Sequence, residues 1–154
     1  MTLQNLLAIQ RLQTFEPTAE GVQRLLAAAA RNLADAKLAD LSADNRFEAA
    51  YKTLMQCAMI GLWAKGYRTS TSQPGHQQTA LQTLPKTLGV AQDIVIILDA
   101  LRKQRNLNDY EGDPITDAAV SECLAQAKAL LAHTRQWLHA HRPDLLITLP
   151  IKEQ

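Results

Sequence analysis

The stretch Leu101 to Gly112, LRKQRNLNDYEG, holds the residues of this chain best suited to chemistry. It sets three cations (Arg102, Lys103, Arg105), an amide (Asn106), a carboxylate (Asp109) and a phenol (Tyr110) at the end of an apolar helical run. Arginine is permanently charged and offers a planar fork of donors that matches phosphate. Arg105 and Asp109 are four residues apart, so on a helix they can pair, and the carboxylate then holds the guanidinium in one rotamer. The chemistry on offer is recognition of an anion. Arg105 would hold phosphate, Arg102 would supplement the charge, Asn106 and Tyr110 would orient the ligand, and Asp109 would position Arg105. The same residues also fit solvated charges near a helix C-terminus, where the dipole favours cations.

Two further positions extend the candidate set. Arg68, just past Gly66, could widen a basic cleft, and His76, after the polar stretch TSTSQPG, is a candidate acid or base. Plainer readings are a solvated loop arginine and a histidine at a helix start. Candidates for any catalytic role are Arg105, Tyr110 and His76. His133, His139 and His141 do not read as a metal site: His139 and His141 are two apart and do not face one another on a helix, and no Cys or carboxylate completes a set at ligand spacing. The chain has no Gly-rich phosphate loop, no GxSxG and no HExxH, and no cofactor is expected.

These side chains need a scaffold, and composition points to helices. With 154 residues the chain fits one domain with a real core. Hydrophobic residues at 47% against 20% charged exclude a disordered chain, and Ala, Leu and Gln are abundant while Gly and Pro number six each. A net charge of +1 gives no global field to gather nucleic acid, so any such binding must come from a local patch. No apolar run is long enough to span a membrane. The N-terminus lacks a basic n-region and a small-residue cleavage signal, so a cytoplasmic location is expected. Cys57 and Cys123, each in an apolar helical stretch, read as buried free thiols rather than a disulfide, in keeping with a reducing compartment.

Periodicity lays out the elements. Leu3 to Leu12 could form a short helix, within an N-terminal helical extension over 1–17 that packs on the body or on a partner. A first long helix is expected from about Thr18, its N-cap, to Leu41, on Val22, Leu25, Leu26, Ala29, Leu33 and Ala36. A second, about Asn45 to Lys65, carries Phe47, Tyr51, Leu54, Met55, Ala58 and Leu62, is nearly uncharged from Thr53 to Ala64, and should be central, with Gly66 as its C-cap. A third covers roughly His76 to Leu88, with Pro85 troubling its last turn. A fourth, about Val90 to Asn108, carries Ile94, Ile97, Leu98 and Leu101 and an Asp99–Lys103 pair. A fifth, capped by Thr116, runs to about His141, where Pro143 stops it. The apolar tail over 142–154 would dock on the body or join a dimer contact. Trp63 and Trp137 read as core or dimer-contact residues. Long helices with short connections predict an all-α fold, an antiparallel bundle of four to five helices forming a single domain over 1–154.

The segments DNRFEAAYKTLMQCAMIGLWAKGYR, PGHQQTALQTLPKTLG and LRKQRNLNDYEGDPIT, in this order, resemble the small stand-alone HEPN proteins of bacteria, over roughly Leu25 to Leu131. The resemblance implies a four- to five-helix bundle, usually a homodimer, in which motif residues of two protomers line a shared cleft. Many HEPN proteins are metal-independent RNases of toxin–antitoxin or defence systems, with a motif of Arg, a polar residue, three further residues and His. Arg105 and Asn106 match its first two positions, whereas Tyr110 occupies that of the His. Histidine titrates near neutrality, but tyrosine, with an ordinary pKa of about 10, rarely moves protons at pH 7. The resemblance therefore implies RNA or nucleotide binding, in a toxin–antitoxin-like or regulatory module, more than catalysis. The alternatives are a divergent endoribonuclease using Tyr110 or His76, and a protein-interaction scaffold acting through the N-terminal helix or the tail. An antitoxin or a nucleotidyltransferase is a candidate partner. Some related toxins carry a tyrosine modified by such a transferase, though Tyr110 lies at a different spacing.

Overall fold

In the computed structural model, which describes residues 1–147, the elements in chain order are α1 (Leu3–Ala8), β1 (Leu12–Thr14), α2 (Ala19–Ala36), α3 (Ala43–Ala64), β2 (Tyr67–Thr69), α4 (His76–Gln82), α5 (Leu84–Thr87), α6 (Gln92–Glu111) and α7 (Asp117–His141), followed by a 3₁₀ turn at Pro143–Leu146. The fold is all-α, a bundle of four long helices, with a two-stranded ribbon as a minor addition. Local signals set the helix ends. The hydroxyls of Thr18, Ser42 and Thr116 accept the backbone N–H of Gly21, Asn45 and Ala119 at 3.0–3.1 Å, each satisfying a donor that the first turn leaves open. Gly66 (φ +90°) and Gly112 (φ +72°) take the left-handed conformation just past α3 and α6, where a side chain would be strained.

Helix α3 is the hub and packs on α2 and α7. Its near absence of charge after Lys52 explains this: Phe47, Tyr51, Leu54, Cys57, Ala58, Ile60 and Leu62 are all fully or almost fully buried. Helix α5 approaches it so closely that a Cβ at Gly61 would lie 2.8 Å from Thr87 Oγ1. Arg142 caps the far end, its Nη1 donating to the carbonyl of Ala64 at 2.5 Å, a cation at a helix C-terminus. Cys57 and Cys123 are buried and free, as expected.

The structure redraws four sequence expectations. Helix α2 stops at Ala36 rather than near Leu41, because Leu38 and Leu41 are exposed and meet no core; the chain tightens there through Lys37 N–H to Ala34 O and Leu38 N–H to Asp35 O. The third helix divides at Thr83 into α4 and α5, since Pro85 has no N–H to continue the ladder. Helix α6 begins at Gln92 and runs to Glu111, three residues past the expected end, so the whole of Arg102 to Tyr110 is helical. The N-terminal segment is helical only to Ala8, and Leu12 begins β1, which pairs antiparallel with β2 in the register Leu12↔Thr69, Gln13↔Arg68, Thr14↔Tyr67. Leu12 is buried, with Leu3 and Leu6 packed against the core, so this segment belongs to the body. Leu145 docks in the core and Gln23 Nε2 donates to the carbonyls of Leu145 and Ile147 at 3.3 and 3.0 Å; the rest of the apolar tail, 148–154, lies outside the described residues. No helix among the described residues is long and apolar enough to cross a membrane.

Candidate functional site

Helix α6 turns one face to the core through Val95, Leu98 and Leu101, and the next turns of that face carry Arg102, Arg105 and Asp109. A helix advances about 100° per residue, so a core-facing register that begins apolar becomes charged as α6 runs past the edge of the core. The charges there are held against α3. Arg105 Nε and Nη2 donate to the two carboxylate oxygens of Glu48 at 3.3 and 3.4 Å, and Asp109 Oδ2 lies 3.1 Å from the same Nε. The guanidinium sits over the Tyr51 ring, 5.6 Å from its centroid, and the Tyr51 hydroxyl donates to Gln77 Oε1 of α4 at 2.9 Å. One turn back, Arg102 Nε donates to Asp99 Oδ1 at 2.9 Å, and Lys103 Nζ stands 3.5 Å from the other oxygen of Asp99.

The electrostatics follow from this packing. Partial burial works against the Arg105 charge, but the hydrogen bond and charge of Glu48 and the charge of Asp109 outweigh it and raise the pKa above the ordinary guanidinium value. Burial pushes the Tyr51 phenol up to about 12, against the pull of Arg105 and Arg102. Three cations (Arg102, Lys103, Arg105) meet three carboxylates (Glu48, Asp99, Asp109), so the seam is charge-balanced rather than basic. Both arginines keep donors in reserve: among the described residues, neither terminal nitrogen of Arg102 nor Nη1 of Arg105 hydrogen-bonds to the protein.

The sequence-predicted residues do not all converge. Arg102, Arg105 and Asp109 come together, and Asn106 is half-buried on the adjoining strip of α6. Tyr110, five residues after Arg105, is turned about 140° around the helix axis from it and is 81% exposed. Arg68 stands elsewhere, exposed on β2, with Nε on Gln13 Oε1 at 3.1 Å and its guanidinium over Phe15. It shares a cavity of about 220 Å³ with Phe15, Met59, Leu62 and Trp63. Met59 is eleven residues along α3 from Glu48, about 16 Å at the helical rise, so Arg68 does not join the Arg105 cluster. His76 opens α4, half-buried, one residue before the Gln77 that touches Tyr51. His133 Nε2 lies 2.6 Å from the Leu88 carbonyl. No group of three His, Cys, Asp or Glu among the described residues is placed to hold a metal.

Glu48, Tyr51 and Gln77 are the members of the seam that sequence reasoning did not find. Glu48 carried a faint signal: it is a carboxylate between Phe47 and Tyr51 on the inner side of the central helix, where a charge is costly without a partner. No protein-family model, curated protein or solved structure matches the chain.

Proposed function

We propose that this chain is a HEPN-like, cytoplasmic, homodimeric bundle that binds RNA or a nucleotide at the Arg102–Arg105 seam, within a toxin–antitoxin-like or regulatory module. The observation that carries the reading is the pair of half-buried guanidiniums on one side of α6, each fixed through Nε by a carboxylate and each with terminal donors unspent. Guanidiniums held in this way lose little entropy on meeting a phosphate, and their partial burial strengthens the contact relative to bulk water. Asn106 supplies an amide beside them. The all-α fold and the helical setting of Arg105 and Asn106 suit the family resemblance.

The exposed, outward-turned Tyr110 supports binding over catalysis, since it does not meet the guanidinium it would have to work with in its own protomer. A metal-independent endoribonuclease would instead draw on His76, which precedes the Gln77 that meets Tyr51. A second reading, a scaffold for protein partners without nucleotide binding, is favoured by the charge balance of the seam, which leaves no excess positive charge.

Titration of labelled single-stranded RNA, and of ATP, with the full chain and with Arg102→Ala separates these readings. Arg102 is preferable to Arg105 as the probe because it does not tie α6 to Glu48. Binding lost in the variant supports the phosphate-reading seam; cleavage that persists in EDTA promotes the endoribonuclease; no binding of either ligand leaves the scaffold.

A further inference from the structure

Arg68 lies apart from the α6 seam, at a cavity of its own. Helix α3 ends at Ala64, Gly66 turns the chain in the left-handed conformation, and β2 then runs back beside β1. Phe15 N–H donates to the Gly66 carbonyl at 2.8 Å, and Gln13 is the register partner of Arg68. Side chains alternate along a strand, so Gln13, Phe15 and Arg68 share one face of the ribbon. That face meets the last turn of α3, where the Phe15 and Trp63 rings stand 4.9 Å apart, tilted by 39°. With Met59 and the buried Leu62 they wall the cavity of about 220 Å³, and Arg68 stands exposed beside the hydroxyls of Thr69 and Thr71. The chain has only two Phe and two Trp, and one of each lines this cavity, half-buried rather than enclosed in the core.

We infer that this cavity is a binding site for a small carboxylate carried on an aromatic body, one ring with a short acid arm. The first reason is the state of the guanidinium, which is fixed but not neutralised. Arg68 Nε donates to the neutral Gln13 Oε1 at 3.1 Å, and Cζ lies 5.5 Å from the Phe15 ring centre. No carboxylate among the described residues pairs with it, whereas Arg105 has two. Its terminal nitrogens make no hydrogen bond to a described residue, so the forked end that matches a carboxylate is open. The second reason is that Arg68 is the sole ionisable side chain lining the cavity, and the Thr69 and Thr71 hydroxyls there make no hydrogen bond to a described residue. The lining therefore holds donors and a positive charge with no acid to answer them. The third reason is the walls. A bare inorganic anion would give up its hydration against apolar surface for little return, while a ring gains by burial against two aromatic side chains. Ligand sites commonly join such apolar walls to a few placed polar groups. An engineered cavity of about 150 Å³ holds benzene, so about 220 Å³ admits one ring and a short acid arm. The site uses none of the seam's residues and stands or falls independently of RNA binding there.

NMR titration of the full chain with phenylpropionate, and with its uncharged amide, tests this by following the Trp63 indole N–H signal, which Trp63→Phe identifies. The wild type should bind the acid saturably, with a dissociation constant of about 1 mM or tighter. The amide should bind about tenfold more weakly, the loss of one charge-assisted contact. Arg68→Gln should remove that difference and leave the weaker binding of the amide in place, with helical circular dichroism unchanged because Arg68 is exposed. Arg102→Ala should leave the preference for the acid intact, which separates this site from the seam. Equal binding of acid and amide by the wild type, a preference for the acid that survives Arg68→Gln, or no saturation by about 10 mM acid would overturn the inference.

Discussion

At the scale of single residues, the way Arg105 and Tyr51 are held sets both the stability and the charge of the seam. Glu48→Gln keeps the shape of the seam but removes one of the two carboxylates on Arg105. With side chains 20% and 33% exposed, the pair is partly screened, and its loss should cost about 1 kcal/mol, or about 2–4 °C in Tm by thermal denaturation. If the arginines read phosphate, the same substitution should tighten RNA binding several-fold, because it releases positive charge at the site. Tyr51 gives a pH prediction. Its folded pKa is raised from the ordinary 10.0 to about 12 by burial, and burial raises the Cys57 and Cys123 thiols from 9.0 to about 12. In that interval the folded state keeps protons that the unfolded state releases, so stability is full below about pH 9 and declines as pH climbs toward 12. Phenolate absorbance against pH should show one late-titrating tyrosine that Tyr51→Phe removes. Both cysteines should resist thiol reagents at pH 8 until the chain is unfolded.

At the scale of elements, the long helices were legible in the sequence because each has a complete local signature. Thr18 and Thr116 cap, Gly66 stops, and the apolar stripes of α2, α3 and α7 repeat at helical spacing. The ribbon was not legible. Leu12–Thr14 and Tyr67–Thr69 are three residues each, too short to show alternation, and they pair across more than fifty residues of chain. The candidate site divides along the same line. Its α6 members, and the Arg105–Asp109 and Asp99–Lys103 pairs, follow from spacing within one helix. Glu48, Tyr51 and Gln77 reach it only through tertiary packing, since Glu48 and Arg105 are 57 residues apart. Where elements touch closely, substitution should be costly. Gly61→Ala would set a methyl 2.8 Å from Thr87 Oγ1 and 2.9 Å from Leu88 Cγ, an overpacking expected to destabilise by about 1–3 kcal/mol in chemical denaturation. Thr18→Ala, which removes the α2 N-cap, should cost about 1 kcal/mol.

At the scale of the whole molecule, α6 runs past the edge of the core and holds the arginine seam against α3. With a net charge of +1, the molecule does not draw nucleic acid by its overall field, so affinity must come from the few phosphates that the seam can reach. That makes the salt dependence of RNA binding the most direct measurement. The dissociation constant of a labelled single-stranded RNA should be measured across a range of salt for the wild type and for Arg102→Ala. Salt-sensitive binding by the wild type is expected, with a slope of log affinity against log salt that is shallower by about 0.7 in the variant, the loss of one phosphate contact on a single strand. RNA binding whose strength and slope are the same in both proteins, or no binding by the wild type at low salt, would contradict the phosphate-reading seam.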